Sequence, residues 1–227
     1  MLVFSLIDQL RRDYWNSLIR RFGLLRKPWM KNKELDIFEE IIKAKKPNKV
    51  LEWGSGFSTL YFPSLHSMDL WISVEHDKDW AKAVGGKYLL PYVEIHHVPS
   101  EIEGWNNQGD WKIDGTYEEF ETYVNYPEKY KPFDLIIIDG RARVPCLRKA
   151  KDLLAPKGII IFHDCNREHY HQYQSHFKFG QFITDHRKEY GGLWVGSKDI
   201  PLENLVNVKR HLNLWKLHSK LSLMFKF

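Results

Sequence analysis

The chain has 227 residues, 43% of them hydrophobic, which suits one domain with extra elements at its ends. Its net charge of +5 gathers at those ends. Residues 1–27 set Arg11, Arg12, Arg20, Arg21, Arg26 and Lys27 against Asp8 and Asp13, and residues 202–227 are similarly basic, so the middle is net acidic and a broad nucleic-acid face is excluded there. No apolar run reaches the ~18 residues of a membrane span. Two cysteines, Cys146 and Cys165, form no disulfide framework, and no signal peptide is evident, so a reduced, cytoplasmic protein is expected.

Residues 1–32 read as an amphipathic helical extension, with Val3, Leu6, Leu10, Tyr14 and Leu18 at helical spacing. That stripe would pack on the domain, or, because the polar face is Arg-rich, lie on a membrane surface or a partner helix. A second helix is predicted over about 33–45, ended by Lys46-Pro47-Asn48, and a strand runs from Lys49 to Glu52. Two glycines, Gly54 and Gly56, follow with small residues around them, and the next helix spans about 58–65. This is a strand, a tight turn and a helix start, a turn that lets a ligand lie against bare backbone.

The second strand, Leu70 to Glu75, ends in an acid placed as in nucleotide-binding βαβ units, where it accepts hydrogen bonds from ribose. A helix over about 77–87 has Trp80 and Val84 inward, and Tyr92 to Val98 is the third strand. Residues 100–131 form a long aromatic insertion, holding Trp105, Trp111, Tyr117, Phe120 and Tyr123, with a helix near 117–124. Its length and rings point to a lid or binding loop.

Phe133 to Gly140 contains four successive apolar residues, the mark of a strand buried on both faces. A helix over about 144–154 and a turn at Pro156-Lys157-Gly158 lead to a fifth strand, Ile159 to Phe162, which ends in His163-Asp164. Residues 177–184 and 192–196 are candidate final strands, predicted to pair antiparallel, and 201–227 a basic amphipathic helix with Leu205, Val208, Leu212 and Trp215 inward. Alternating strands and helices predict an α/β, doubly wound domain over residues 33–200, with its ligand outside the carboxyl ends of the strands. Those ends supply Glu52, Glu75, His97, Asp139 and Asp164, and mutually repelling acids at four of the five are hard to explain by stability alone.

The set in order, VLEWGSGFST, the acid Glu75, FDLIIIDG and LLAPKGIIIFHD, resembles the class I S-adenosylmethionine-dependent methyltransferases. The resemblance implies a Rossmann-like, mostly parallel seven-stranded sheet with helices on both faces. It implies S-adenosylmethionine as cofactor, held by Glu52, Trp53, Gly54, Ser55, Gly56, Ser58, Thr59, Glu75, His76, Asp139 and Gly140. The Asp-Gly-Arg and His-Asp motifs resemble a subgroup of these enzymes for which a small-molecule or glycan acceptor is the expectation.

Methyl transfer needs acceptor and sulfonium in line and, for a hydroxyl, removal of a proton. His163 is the first candidate base, because its ordinary pKa is near neutrality, with Asp139 and Asp164 beside it and His171 as second candidate; the alternative is a structural histidine. Arg141, Arg143 and Arg167, with Tyr170 and His171, are candidates for holding the acceptor. A metal-dependent branch of O-methyltransferases binds magnesium through comparable strand-end acids, but with Asn directly after the second; Cys165 stands there, and no metal ligand is assigned. Two rivals share the pattern. An NAD-dependent oxidoreductase would want Gly or Ala at Thr59, and a non-catalytic scaffold would need no intact acids. The amphipathic ends would also serve a homodimer.

Overall fold

The computed structural model describes residues 2–22, 27–87, 89–110, 112–184, 187 and 191–225, with backbone alone at 222, 223 and 225. Trp111 and Arg26 lie outside the described residues. The strands are β1 (Lys49–Trp53), β2 (Leu70–Glu75), β3 (Val93–His97), β4 (Phe133–Ile138), β5 (Leu154–His163), β6 (Phe179–Ile183) and β7 (Leu193–Ser197). The helices are α1 (Leu2–Arg21), α2 (Asn32–Lys45), α3 (Phe57–Tyr61), α4 (Lys78–Gly85), α5 (Glu121–Asn125), α6 (Arg143–Leu153) and α7 (Val208–Phe225).

One sheet runs in the order β3-β2-β1-β4-β5-β7-β6. The first five strands in that row pair in parallel. β7 is antiparallel to both β5 and β6, so the sheet is mixed. The reason is local: β6 and β7 are joined by a short connection, and parallel neighbours need a crossover long enough to hold a helix. Side-chain alternation divides the core. Leu51, Ile72, Ile136 and Ile160 pack on one face with Cys146, Leu147 and Leu153 of α6. Val50, Trp71, Leu135 and Ile161 pack on the other with Phe38 and Ile41 of α2 and Trp215 of α7.

Several boundaries move. β5 begins at Leu154 and carries the predicted turn inside it, with Lys157 at φ 60° and a register shift opposite Phe133–Leu135. A bulge accommodates the extra residues. The helix after the glycine turn is five residues long and tightens into a 3-10 turn, Phe62–Leu65, at Pro63. In the insertion the helix starts at Glu121 and continues as a 3-10 turn through Tyr130.

The larger correction concerns α1. Val3, Leu10 and Tyr14 are exposed, and of the predicted stripe only Leu6 is buried. The domain-facing side is polar. Arg12 grips Asp36 of α2 with two 2.8 Å bonds, Gln9 Nε2 donates to the same carboxylate at 2.7 Å, and Asp13 Oδ1 accepts from the Asn32 backbone at 2.9 Å. Buried or half-buried charge pairs outweigh a packing preference that the sequence pattern alone would assign.

Candidate active site at the strand ends

Strand order reverses between β1 and β4, and there the crevice opens. Gly54 follows β1 at φ +94°, a conformation that side chains rarely adopt. A Cβ on it would lie 2.7 Å from the Gly140 Cα, and one on Gly140 would lie 2.8 Å from the Gly54 nitrogen, so the two glycines let the chains meet. Gly56 differs: a Cβ there meets only Ser58 Oγ, at 3.7 Å, so its bare backbone faces a cavity. That cavity is lined by Gly54, Ser55, Phe57, Ser58 and Asp139, with Trp29 and Trp80 at its rim. Trp80 Nε1 donates to the Ser55 carbonyl at 2.7 Å, and Asp77 caps α4 by accepting from the Trp80 nitrogen at 2.8 Å, which pins the turn. The Trp53 side chain points away into the core, donating to the Tyr123 carbonyl.

The two acids of the resemblance sit deeper than a ligand contact needs. Glu52 is fully buried; its Oε2 accepts from Thr59 Oγ1 at 2.7 Å, Trp71 Nε1 at 3.1 Å and Ser73 Oγ, while Oε1 has no partner. Burial pushes its carboxyl up to about 7 against these hydrogen bonds. Thr59 Oγ1 in turn accepts from the Gly56 nitrogen, so Glu52 and Thr59 brace the turn from beneath. Glu75 is 4% exposed. Its Oε2 takes the Ser55 nitrogen at 2.8 Å; its Oε1 takes the His76 and Asp77 nitrogens at 2.9 and 3.0 Å and faces His76 Nδ1 at 2.8 Å. Burial would raise this carboxyl, but the His76 ring and the backbone donors hold it below the usual range. His76 itself meets the edges of Trp105 and Phe120 from the insertion.

At the ends of β4 and β5, His163 Nδ1 lies 2.9 Å from Asp139 Oδ1. Its Nε2 faces Glu34 Oε2 of α2 at 3.9 Å, a charge contact rather than a hydrogen bond. Burial disfavours the imidazolium, yet Asp139, Asp164 and Glu34 surround it and lift its pKa well above the ordinary value. Burial would raise Glu34 as well, but His163 and Arg187 hold it low. Glu34 Oε1 also binds Arg187 at 3.1 Å and the Gly192 nitrogen at 3.3 Å. Asp164, at φ 55°, accepts from the Gly191 nitrogen at 2.6 Å. His163, Asp164 and Glu34 line a second cavity together with Asp13, Asn16 and Arg20 of α1. Trp29 and Met30 border both cavities. They enclose about 130 and 240 Å³, each smaller than a usual small-molecule pocket of about 300–1,000 Å³, and both open to solvent.

The predicted acceptor-binding residues are elsewhere. Arg143 donates to the carbonyls of Gly140 and His163 at 2.9 Å, stapling β4 to β5, and is nearly buried. Arg141 lies over the Trp105 ring, Arg167 over Tyr170, Tyr170 is fully buried, and His171 Nε2 faces the Cys165 carbonyl. None of the five borders either cavity. His97 is exposed at the end of β3. Glu34, Trp29, Met30 and the inner face of α1, which do line the crevice, have no motif that would single them out.

No protein-family description matches the chain by sequence, and no curated protein does. Solved structures do match. A methyltransferase-like protein from Silicibacter pomeroyi superposes on 83% of this chain and 98% of its own, with a TM-score of 0.55 and 21% identity. An O-methyltransferase from Bacillus cereus, solved with S-adenosylhomocysteine, matches over 84% and 89%, with a TM-score of 0.55 and 16% identity. The chain has the class I methyltransferase fold. Spermidine synthase from Thermotoga maritima is also similar, at a TM-score of 0.52 and 16% identity over 86% and 73%. The group that a methyltransferase fold transfers must therefore be argued from the site. Among the described residues, no helix is long and apolar enough to cross a membrane.

Proposed function

We propose that this protein is an S-adenosylmethionine-dependent methyltransferase acting on a hydroxyl of a small molecule or glycan. The observation that carries the reading is the Asp139–His163 pair: Asp139 borders the glycine-turn cavity and His163 borders the second one. A donor chamber and an acceptor chamber thus meet across one hydrogen bond. The bare backbone at Gly56 fits the cofactor's methionine portion, with Ser55 and Ser58 beside it. Glu75, whose oxygens hold the turn's own nitrogens, would reach the cofactor's ribose only by giving up one of those bonds, with His76 beside it. When bound, the cofactor supplies an electrophilic methyl group on a sulfonium.

The remaining work falls to the chain. The Asp139 carboxylate faces the sulfonium side and keeps His163 oriented. A cation beside Asp139 weakens the field that keeps His163 charged. Once the imidazolium has given its Nε2 proton to solvent, the neutral ring, with its Nδ1–H held by Asp139, can take the hydroxyl proton at Nε2. Asp139 and Asp164 turn to His163 and to the Gly191 nitrogen, and no metal-holding cluster of three or more His, Cys, Asp or Glu occurs among the described residues. Carboxylates engaged in this way do not fit a divalent ion.

Calorimetric titration with S-adenosylhomocysteine and, separately, NAD tests the reading. Micromolar binding of the first and none of the second is expected. NAD binding without a response to S-adenosylhomocysteine overturns it in favour of an oxidoreductase, and cofactor binding without turnover across a broad hydroxyl-acceptor screen overturns the catalytic part.

A further inference from the structure

α1 is attached to the domain by its polar side and shows its apolar side to solvent. Val3, Phe4, Ile7, Tyr14, Trp15 and Phe22 are 59%, 78%, 56%, 68%, 53% and 71% exposed. Their spacing, adjacent or three or seven residues apart, puts them within about one third of the helix circumference. A stripe this wide is not the scattered apolar exposure of an ordinary surface.

The charge around the stripe decides what covers it. Arg11 and Arg21 lie within the same outward arc and are exposed. α7 packs beside α1 and contributes exposed Lys209, Lys216 and Lys220. The acids of α1 are committed: Asp8 pairs with Arg11 and Arg12 at 3.1 and 2.8 Å, and Asp13 binds Asn32. Arg11 is matched by Asp8, so the outward face is apolar and ring-rich, with its positive excess coming from Arg21 and the α7 lysines. A second copy would bring like charges together. An anionic lipid surface matches both halves, since acyl chains accept the apolar stripe, headgroups accept Arg21 and the lysines, and Trp and Tyr prefer the boundary between them.

We propose that α1 seats this protein on anionic membrane surfaces, lying in the plane of the interface with residues 3–22 as the contact. This stands apart from the methyl-transfer reading and survives its failure. The wall that α1 gives to the second cavity, through Asp13, Asn16 and Arg20, then lies next to the bilayer.

The test is co-sedimentation of the full chain with vesicles of phosphatidylcholine alone or with one quarter phosphatidylglycerol, in 50 and 500 mM salt. Binding to the anionic vesicles in dilute salt is expected, falling at least tenfold in high salt and at least tenfold on neutral vesicles. The double variant F4S/W15S changes two exposed positions, so its thermal unfolding is expected to match the parent while its binding falls at least tenfold. The same preparations go through analytical ultracentrifugation. No binding to anionic vesicles, equal binding to neutral ones, or undiminished binding by the variant overturns the proposal. So does a lipid-free dimer that the variant dissolves, because the stripe would then be a subunit interface.

Discussion

Asp139 Oδ1 and His163 Nδ1 lie 2.9 Å apart across the carboxyl ends of β4 and β5, and this pair joins the two halves of the crevice. His163→Gln and Asp139→Asn should each lower turnover by about 10²–10⁴-fold, the usual contribution of general base catalysis. Binding of S-adenosylhomocysteine should change far less in the His163 variant, because His163 does not border the cofactor cavity. Single-turnover rates beside calorimetric affinities separate the two effects. Equal losses in rate and affinity would place His163 in cofactor binding instead.

The same histidine gives stability a pH signature. Its folded pKa is raised well above the ordinary value near 6.5. For a base shifted upward, the stabilisation is fully present below the unfolded pKa and is lost as pH rises through the folded one. The stability gap between wild type and His163→Gln should thus be widest near pH 6 and shrink towards alkaline pH. Urea midpoints across that range check it; a gap that widens with pH refutes the charged, buried imidazole.

Glu52 has the opposite character for an acid. Its pKa is raised from 4.5 to about 7 by burial, so ionising it in the fold is costly, and stability falls as pH rises between those values. At ~1.4 kcal/mol per pKa unit, the fall is roughly 3 kcal/mol. Glu52→Gln cannot ionise, so its stability relative to wild type should climb by about that amount between pH 4.5 and 7. Parallel denaturation curves at several pH values measure the slope. A relative stability independent of pH would show that burial does not raise the Glu52 pKa.

Gly140→Ala should lower stability by about 1–3 kcal/mol, the usual cost of forcing atoms into a filled space. Its Cβ would press on the Gly54 nitrogen and the Tyr123 ring hydroxyl. Gly54→Ala adds an unfavourable φ to a similar clash and should cost more. Gly56→Ala meets almost nothing, so it should leave the melting temperature near wild type while weakening S-adenosylhomocysteine binding several-fold. If Gly56→Ala binds normally, the cofactor does not lie on that backbone.

Elements with a strict period or a special backbone need could be read from the sequence. Gly54 has to be glycine for the turn to close against Gly140, and Ile136 to Ile138 have to be buried on both faces, so β1, β4 and their junction were legible. Glu34 was not. An acid in the first turn of a helix reads as a solvated dipole partner. Only the approach of His163, Arg187 and Gly192, each more than a hundred positions away, makes it a buried part of the crevice. Arg143 misled for a related reason: among so many acids an arginine reads as a ligand for substrate, whereas three strand-end carbonyls claim it. The stripe on α1 gave the helix and its angular spread, but a period cannot say which side faces inward. Arg12 and Asp36 decide that.

That polar attachment sets how the crevice responds to its surroundings. Lifting α1 away would uncover little oily surface, since Leu6 is its one buried apolar side chain among the described residues. What holds that wall to α2 is a handful of ion pairs and amide contacts, and half-buried pairs such as Arg12–Asp36 are screened by dissolved ions far less than exposed ones. Parting α1 from α2 would thus leave half-buried charges without partners rather than expose oily surface.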